Sequence, residues 1–209
     1  MNTHRLTLPV SEADISAIRA GDIVYLSGDI VVTIGLPTHQ RMIDYAEQGK
    51  PLPIDIRGGA FLHLSSYNRE SNTPSGYEAL YMNPTTSTRY DALMPSLIRA
   101  YGLRIVGGKG GLGEESVAAM RETGCIYLSF LGGGCTLLAR AIQEVVSVHW
   151  EDYISQFRLV TLRVKDLGPA TVGIDAHGNS LYRQLRDDAK RRLPTILDEL
   201  NRDRERALR

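Results

Sequence analysis

Leu103-Arg104-Ile105-Val106-Gly107-Gly108-Lys109-Gly110-Gly111-Leu112-Gly113, continuing through Glu114 to Thr123 and then Cys125-Ile126-Tyr127-Leu128-Ser129-Phe130, decides the fold. Leu103 to Val106 reads as a strand, the glycines as a turn, Glu114 to Thr123 as a helix and Cys125 to Phe130 as a second strand. Upstream, Thr85 to Tyr101 reads as a helix opened by hydroxyls, and downstream Gly132-Gly133-Gly134 turns the chain into a helix over Thr136 to Val146. Helices alternating with short apolar strands predict an α/β core with parallel strands.

The flanking segments extend the pattern. Ser11-Glu12-Ala13-Asp14 has capping-box spacing, with Ile15 and Ile18 on the apolar face and Gly21 closing the helix. The β-rich runs on either side of Gly28-Asp29 fit a tight hairpin or a bent strand. Pro37-Thr38 starts a helix that carries Met42, Ile43 and Ala46 and ends at Gly49. Ala60 to Leu64 is a strand, and the polar stretch Ser65 to Gly76 is a loop or the turn of a long hairpin. Phe157 to Val164 and Ala170 to Ile174 read as a late strand pair, followed by a turn at Asp175-Ala176-His177-Gly178-Asn179. The tail from Ser180 to Arg209, with its charged helical stretch at 186–209, reads as a solvated helix packed by Leu181, Leu185, Leu193, Ile196, Leu197 and Leu200. A chain of 209 residues, 43% hydrophobic, is expected to bury one core as a single domain.

Composition narrows the partners. Lys plus Arg and Asp plus Glu both total 24, so there is no global attraction to nucleic acid or to an anionic membrane. No segment approaches the roughly 20 apolar residues of a membrane span, and Met1 to Pro9 lacks a signal-peptide pattern. Two cysteines, Cys125 and Cys135, predict a reducing, cytoplasmic setting and cannot together hold a four-ligand metal or iron-sulfur site.

Chemistry concentrates on two loops. In Asn83-Pro84-Thr85-Thr86-Ser87-Thr88-Arg89 the threonines are either ordinary helix caps or, with Arg89 one turn on, an anion cradle. Lys109, flanked by four glycines at a strand's C-terminal end, is either an exposed turn lysine or a ligand-edge cation. A glycine follows Lys109 where the Walker phosphate loop needs Ser or Thr, which argues against a nucleotide. The spacing of His39, His63, His149 and His177 suggests no metal site.

In this order, Gly21-Asp22-Ile23-Val24-Tyr25-Leu26-Ser27-Gly28, His39, Pro84 to Arg89, Val106 to Gly113, Val148-His149-Trp150 and Ile174 to Asn179 resemble the β subunit, equivalently the C-terminal domain, of class I iron-sulfur fumarases and L(+)-tartrate dehydratases. The resemblance implies a swivelling β/β/α domain and a hydro-lyase acting on a dicarboxylate. It implies a 4Fe-4S cluster on a cysteine-rich α partner and none on this chain. Carried over by position, Thr85 matches the proposed base, Lys109 and Arg89 match carboxylate-binding side chains, and Thr86, His39 and Gly108 belong to the same substrate site. Without its partner, such a subunit is expected to self-associate. The family pattern Arg-Asp, two residues, His reads here Gly35-Leu36-Pro37-Thr38-His39, and Ser65 to Tyr77 also departs from it. Arg41 is a substitute for the missing arginine only if it faces the site. The alternative reading is a non-catalytic anion-binding domain.

Overall fold

A computed structural model describes residues 1–207, so Leu208 and Arg209, the end of the predicted tail, lie outside the described residues. The chain runs β1 (Thr3–Thr7), α1 (Glu12–Ser16), β2 (Ile23–Val32), α2 (Leu36–Glu47), β3 (Ala60–Leu62), β4 (Leu64–Glu70), β5 (Tyr77–Pro84) and α3 (Met94–Tyr101). It continues with β6 (Ile105–Gly108), α4 (Glu114–Thr123), β7 (Ile126–Ser129), α5 (Cys135–Ala139), β8 (Ile142–His149), β9 (Leu159–Ile174) and α6 (Leu181–Ala207).

Seven strands form one sheet in the order β1-β2-β3-β6-β7-β9-β8, and an additional β2–β9 pairing closes β2, β3, β6, β7 and β9 into a ring. The β2–β3, β3–β6 and β6–β7 ladders are parallel, as predicted. The late strand β9 returns antiparallel to β2, β7 and β8, which gives a mixed α/β architecture with barrel-like closure. Side-chain alternation builds two cores. Leu62, Ile105 and Ile126 join Leu26, Leu128 and Leu162 within the ring. Their neighbours Phe61, Val106 and Tyr127 face outward onto Met42 of α2, Leu97 of α3 and Met120 of α4.

Several local expectations hold. The Ser11–Asp14 capping box forms, with Asp14 N–H donating to Ser11 Oγ at 3.3 Å and Ser11 N–H to Asp14 Oδ2 at 2.8 Å. Proline opens α2 and Met42 is buried on it. Gly28, at φ +111°, bends the continuous strand β2 rather than turning a hairpin. Ser71 to Gly76 is the tip of the β4–β5 hairpin.

Three expectations are corrected. Thr136 to Val146 is not a helix: α5 stops at Ala139, and the valine-rich remainder pairs with β9 as β8. The late strand pair is one strand, because β2 flanks it from Val32↔Val160 to Ile23↔Thr171 and turns the break near Asp166 into a bulge. The tail is helical, but Leu185, Leu193, Ile196, Leu197 and Leu200 are 47–70% exposed and belong to neither core of the described residues.

The Asp175 turn is a buried polar knot. The Asp175 carboxylate accepts from the backbone N–H groups of Ala20, His177 and Asn179 and from Asn179 Nδ2. Burial pushes its pKa up, but these bonds outweigh burial and hold the carboxyl below its usual value. Asp175→Ala leaves those donors unpaired, and about 3 kcal/mol of stability should be lost in urea unfolding.

Candidate functional site

The two loops singled out in the sequence meet at the C-terminal ends of the parallel strands. Strand β6 delivers Lys109, β5 delivers Thr85, and Thr86 and Lys109 form an isolated parallel bridge. Thr85 N–H donates to His63 O at 2.9 Å, Lys109 N–H to Thr85 O at 2.9 Å and Ser87 N–H to Lys109 O at 2.8 Å. The parallel ladder is thereby extended past its last named residues. In open α/β sheets this edge is where ligands bind.

The expected Thr85 to Tyr101 helix does not form. Thr86 is extended, at φ −78° and ψ 112°, and makes no side-chain cap; a 3₁₀ turn, Ser87–Tyr90, follows, and α3 starts only at Met94 with a proline in its first turn. The threonine backbone is drawn into the sheet by His63 and Lys109, so Thr85 and Arg89 do not share a helix face; Arg89 stands in the last turn of the 3₁₀ segment. Asp91, just beyond it, crosses to the second loop and accepts from Gly113 N–H at 2.9 Å and Ser116 Oγ at 2.6 Å. A carboxylate from one loop thus caps the helix that leaves the other.

Arg89 is exposed, while Lys109, Thr85 and Thr86 are half-buried. Among the described residues, no carboxylate lies within ion-pair distance of either cation. The Lys109 stem runs beside Gly132, whose missing Cβ would stand 3.6 Å from Lys109 Cδ and 3.8 Å from Nζ. Gly108 is buried and lets the loops approach, since a Cβ there would lie 2.4 Å from Ser87 Oγ and 3.0 Å from Thr85 O.

His39 is fully buried, behind the loops. Its Nδ1–H donates to Gly35 O at 2.7 Å, and its ring stacks on Tyr90 at 4.3 Å and 3°. That bond fixes the tautomer and leaves Nε2 as a bare acceptor; His63 Nε2 is likewise buried without a partner. Burial lowers the His39 pKa to about 4, against the opposing bond to Gly35, and lowers that of His63 well below the usual value. Above pH ~6.5 both states are neutral and full stability is present. As pH falls from there toward 4, only the unfolded chain takes up the proton, and His39 alone should remove about 3 kcal/mol of stability. Urea midpoints should therefore fall between pH 7 and pH 4.5, and His39→Gln should flatten that fall.

At Gly35 there is no room for a side chain: a Cβ would stand 2.4 Å from Thr38 Oγ1 and 2.7 Å from Phe157 Cβ. Arg41 does not substitute, because it forks onto Asp152 at 2.6 and 3.0 Å and stacks on Tyr153 at 4.0 Å. His149 lies in β8, and His177 donates from Nε2 to Ser16 O, so neither stands on these loops. The residues that sequence reasoning missed are Ser87 and Tyr127; Ser87 Oγ lies 2.8 Å from both His63 Nδ1 and Tyr127 Oη. The only local sign was a phenol set between Ile126 and Leu128.

Two cations thus stand on adjoining loops at one edge of a closed mixed sheet, and the chain belongs to a known family. Residues 2–185 match the family model described as Fumarase C-terminus, which places the chain among class I fumarase and tartrate dehydratase β subunits. It is 31% identical over 195 residues to the L(+)-tartrate dehydratase subunit beta of Escherichia coli (strain K12), covering 93% of this chain and 94% of that one. Over 188 residues it is 29% identical to a Geobacillus stearothermophilus protein provisionally named fumarate hydratase class I, covering 90% of this chain and 35% of that protein.

The cluster that the family implies does not fit this chain. Cys125 is buried with its thiol pKa pushed up by burial, Cys135 is half-buried on α5, and no group of three or more His, Cys, Asp or Glu among the described residues could hold a metal ion. No described helix is long and apolar enough to cross a membrane.

Proposed function

We propose that the chain is the β subunit of a hydro-lyase that reversibly removes water from a hydroxy-dicarboxylate, paired with a cysteine-rich α subunit that holds the 4Fe-4S cluster. One observation carries the reading: Lys109 and Arg89, without carboxylate partners among the described residues, stand on the two loops joined by the Thr86–Lys109 bridge at the edge of the sheet. The names of the relatives support it.

In this reading residues 1–209 act as one swivelling β/β/α domain packed over the α subunit in the cytoplasm. Lys109 and Arg89 hold the substrate carboxylates, with Thr86 and the Gly108 backbone shaping the floor between the loops. Loss of a proton from the carbon next to a held carboxylate builds negative charge there, and a fixed ammonium or guanidinium stabilises it. Thr85 Oγ1 takes that proton as an alkoxide, a form the Lys109 ammonium stabilises, and becomes the neutral hydroxyl. His39 supports the site from behind Tyr90. The exposed apolar stripe of α6 supports self-association of the isolated chain.

The test is co-expression with a cysteine-rich α partner, followed by anaerobic assay of the cluster-loaded complex on fumarate, malate, tartrate and mesaconate. Turnover of at least one diacid is expected, and no turnover of any of them rejects the reading. The closed packing at Gly35 favours the second reading, a domain that binds a dicarboxylate without chemistry. Tight binding by the isolated chain, with an inert complex, would select it.

A further inference from the structure

The line of buried polar side chains beneath the loops touches no solvent and takes no part in the contacts assigned above. His63, Ser87 and Tyr127 are each 0% exposed. They come from three places in the chain: the junction of β3 and β4, the start of the 3₁₀ turn, and β7. Tyr127 Oη accepts the Gly111 N–H at 3.3 Å, two residues beyond Lys109. With that phenol accepting from Gly111, the line runs Tyr127 O–H to Ser87 Oγ and Ser87 O–H to His63 Nδ1.

We propose that His63, Ser87 and Tyr127 are positioning residues that fix the separation of Thr85 and Lys109, a role that rests on the hydro-lyase reading of those two groups. Each loop is gripped twice. The first is held at Thr85 through His63 O and at Ser87 through both its backbone and its hydroxyl; the second is held at Lys109 by Thr85 and Ser87 and at Gly111 by Tyr127. Packing alone does not call for such a line, because apolar groups of similar shape can replace buried polar ones at little cost, and this line leaves the His63 Nε2 without a partner. Hydrogen bonds from Tyr127 through Ser87 to His63 Nδ1 admit one geometry, whereas an apolar contact tolerates sliding.

The test uses the cluster-loaded complex. Ser87→Ala and Tyr127→Phe should each lower kcat by about 10- to 100-fold, with KM within about threefold, because misplaced groups lose rate before they lose affinity. The double variant should be no worse than the poorer single one, since the line is already cut. His63→Asn, which can keep a polar atom near the Nδ1 position, should retain more activity than His63→Leu. A second readout is amide exchange of the full chain: in Ser87→Ala the Thr85 and Lys109 amides should exchange faster while the core of the ring does not. Unchanged kcat with a lowered melting temperature, additive losses in the double variant, or unaltered exchange at Lys109 would each overturn the proposal. A wild-type complex inert on every diacid counts against the hydro-lyase reading, and the exchange measurement then decides the positioning claim by itself.

Discussion

Lys109→Ala should lower kcat/KM of the assembled complex by about 10²- to 10³-fold, the loss expected when one donor to a developing anion is removed. The fold is not expected to follow. The Lys109 backbone is fixed by Thr85 O and Ser87 N–H, neither of which depends on the side chain, and the lysine stem lies beside Gly132 rather than in a core. The melting temperature should therefore stay within about 2 °C, which separates a lost charge from a lost structure. Lys109→Arg should recover only part of the rate, because a planar, delocalised guanidinium on a three-carbon stem places its charge elsewhere. Steady-state kinetics on the best diacid decide it: near-normal kcat/KM in Lys109→Ala would remove this residue from the site.

The second large effect is at Gly108. An added methyl would stand 2.4 Å from Ser87 Oγ, 3.0 Å from the Thr85 carbonyl oxygen and 3.1 Å from His63 Cβ. The hydroxyl can rotate away only by leaving His63 and Tyr127, and the Thr85 carbonyl accepts the Lys109 N–H and cannot retreat without breaking the bridge. Overpacking of this kind costs about 1–3 kcal/mol. Gly108→Ala should thus lower the melting temperature by about 2 to 10 °C and also lower kcat more than the stability loss explains, since both loops shift. Gly132→Ala is the control: its Cβ would meet Lys109 Cδ at an ordinary 3.6 Å, so the melting temperature should be nearly unchanged. Equal melting temperatures for the two variants would show that the loops have more slack than the distances imply.

Much of the framework was legible because its signals are local. The capping box at Ser11 and the proline at the start of α2 are signals of a few residues, and the strand, glycine turn, helix and strand around Lys109 follow one another directly from Ile105 to Ser129. Ring closure was not legible, because β2 and β9 pair residues as distant as Val32 and Val160, and no pattern inside either strand names its neighbour. The Thr85 segment misled for a related reason. Hydroxyls before an apolar stretch fit a helix cap, but here the carbonyls of His63 and Thr85 offered the two loops a ladder instead. Of the site, the two cations and the glycines stood out as residue types. The line through Ser87 is made only by tertiary contact, and the Tyr127 phenol was its one local mark.

Ring closure has a mechanical consequence. Every strand of the ring is hydrogen-bonded on both flanks, so no strand can slide without tearing two ladders at once. Lys109 stands at the end of ring strand β6, and Thr85 is tied to that rim through His63 and Lys109, so the pair is shielded from the ordinary breathing of an open sheet. Under the proposed function, admission and release of a ligand then fall to the domain tilting as one body, like a lid whose latch is rigid and whose hinge lies elsewhere.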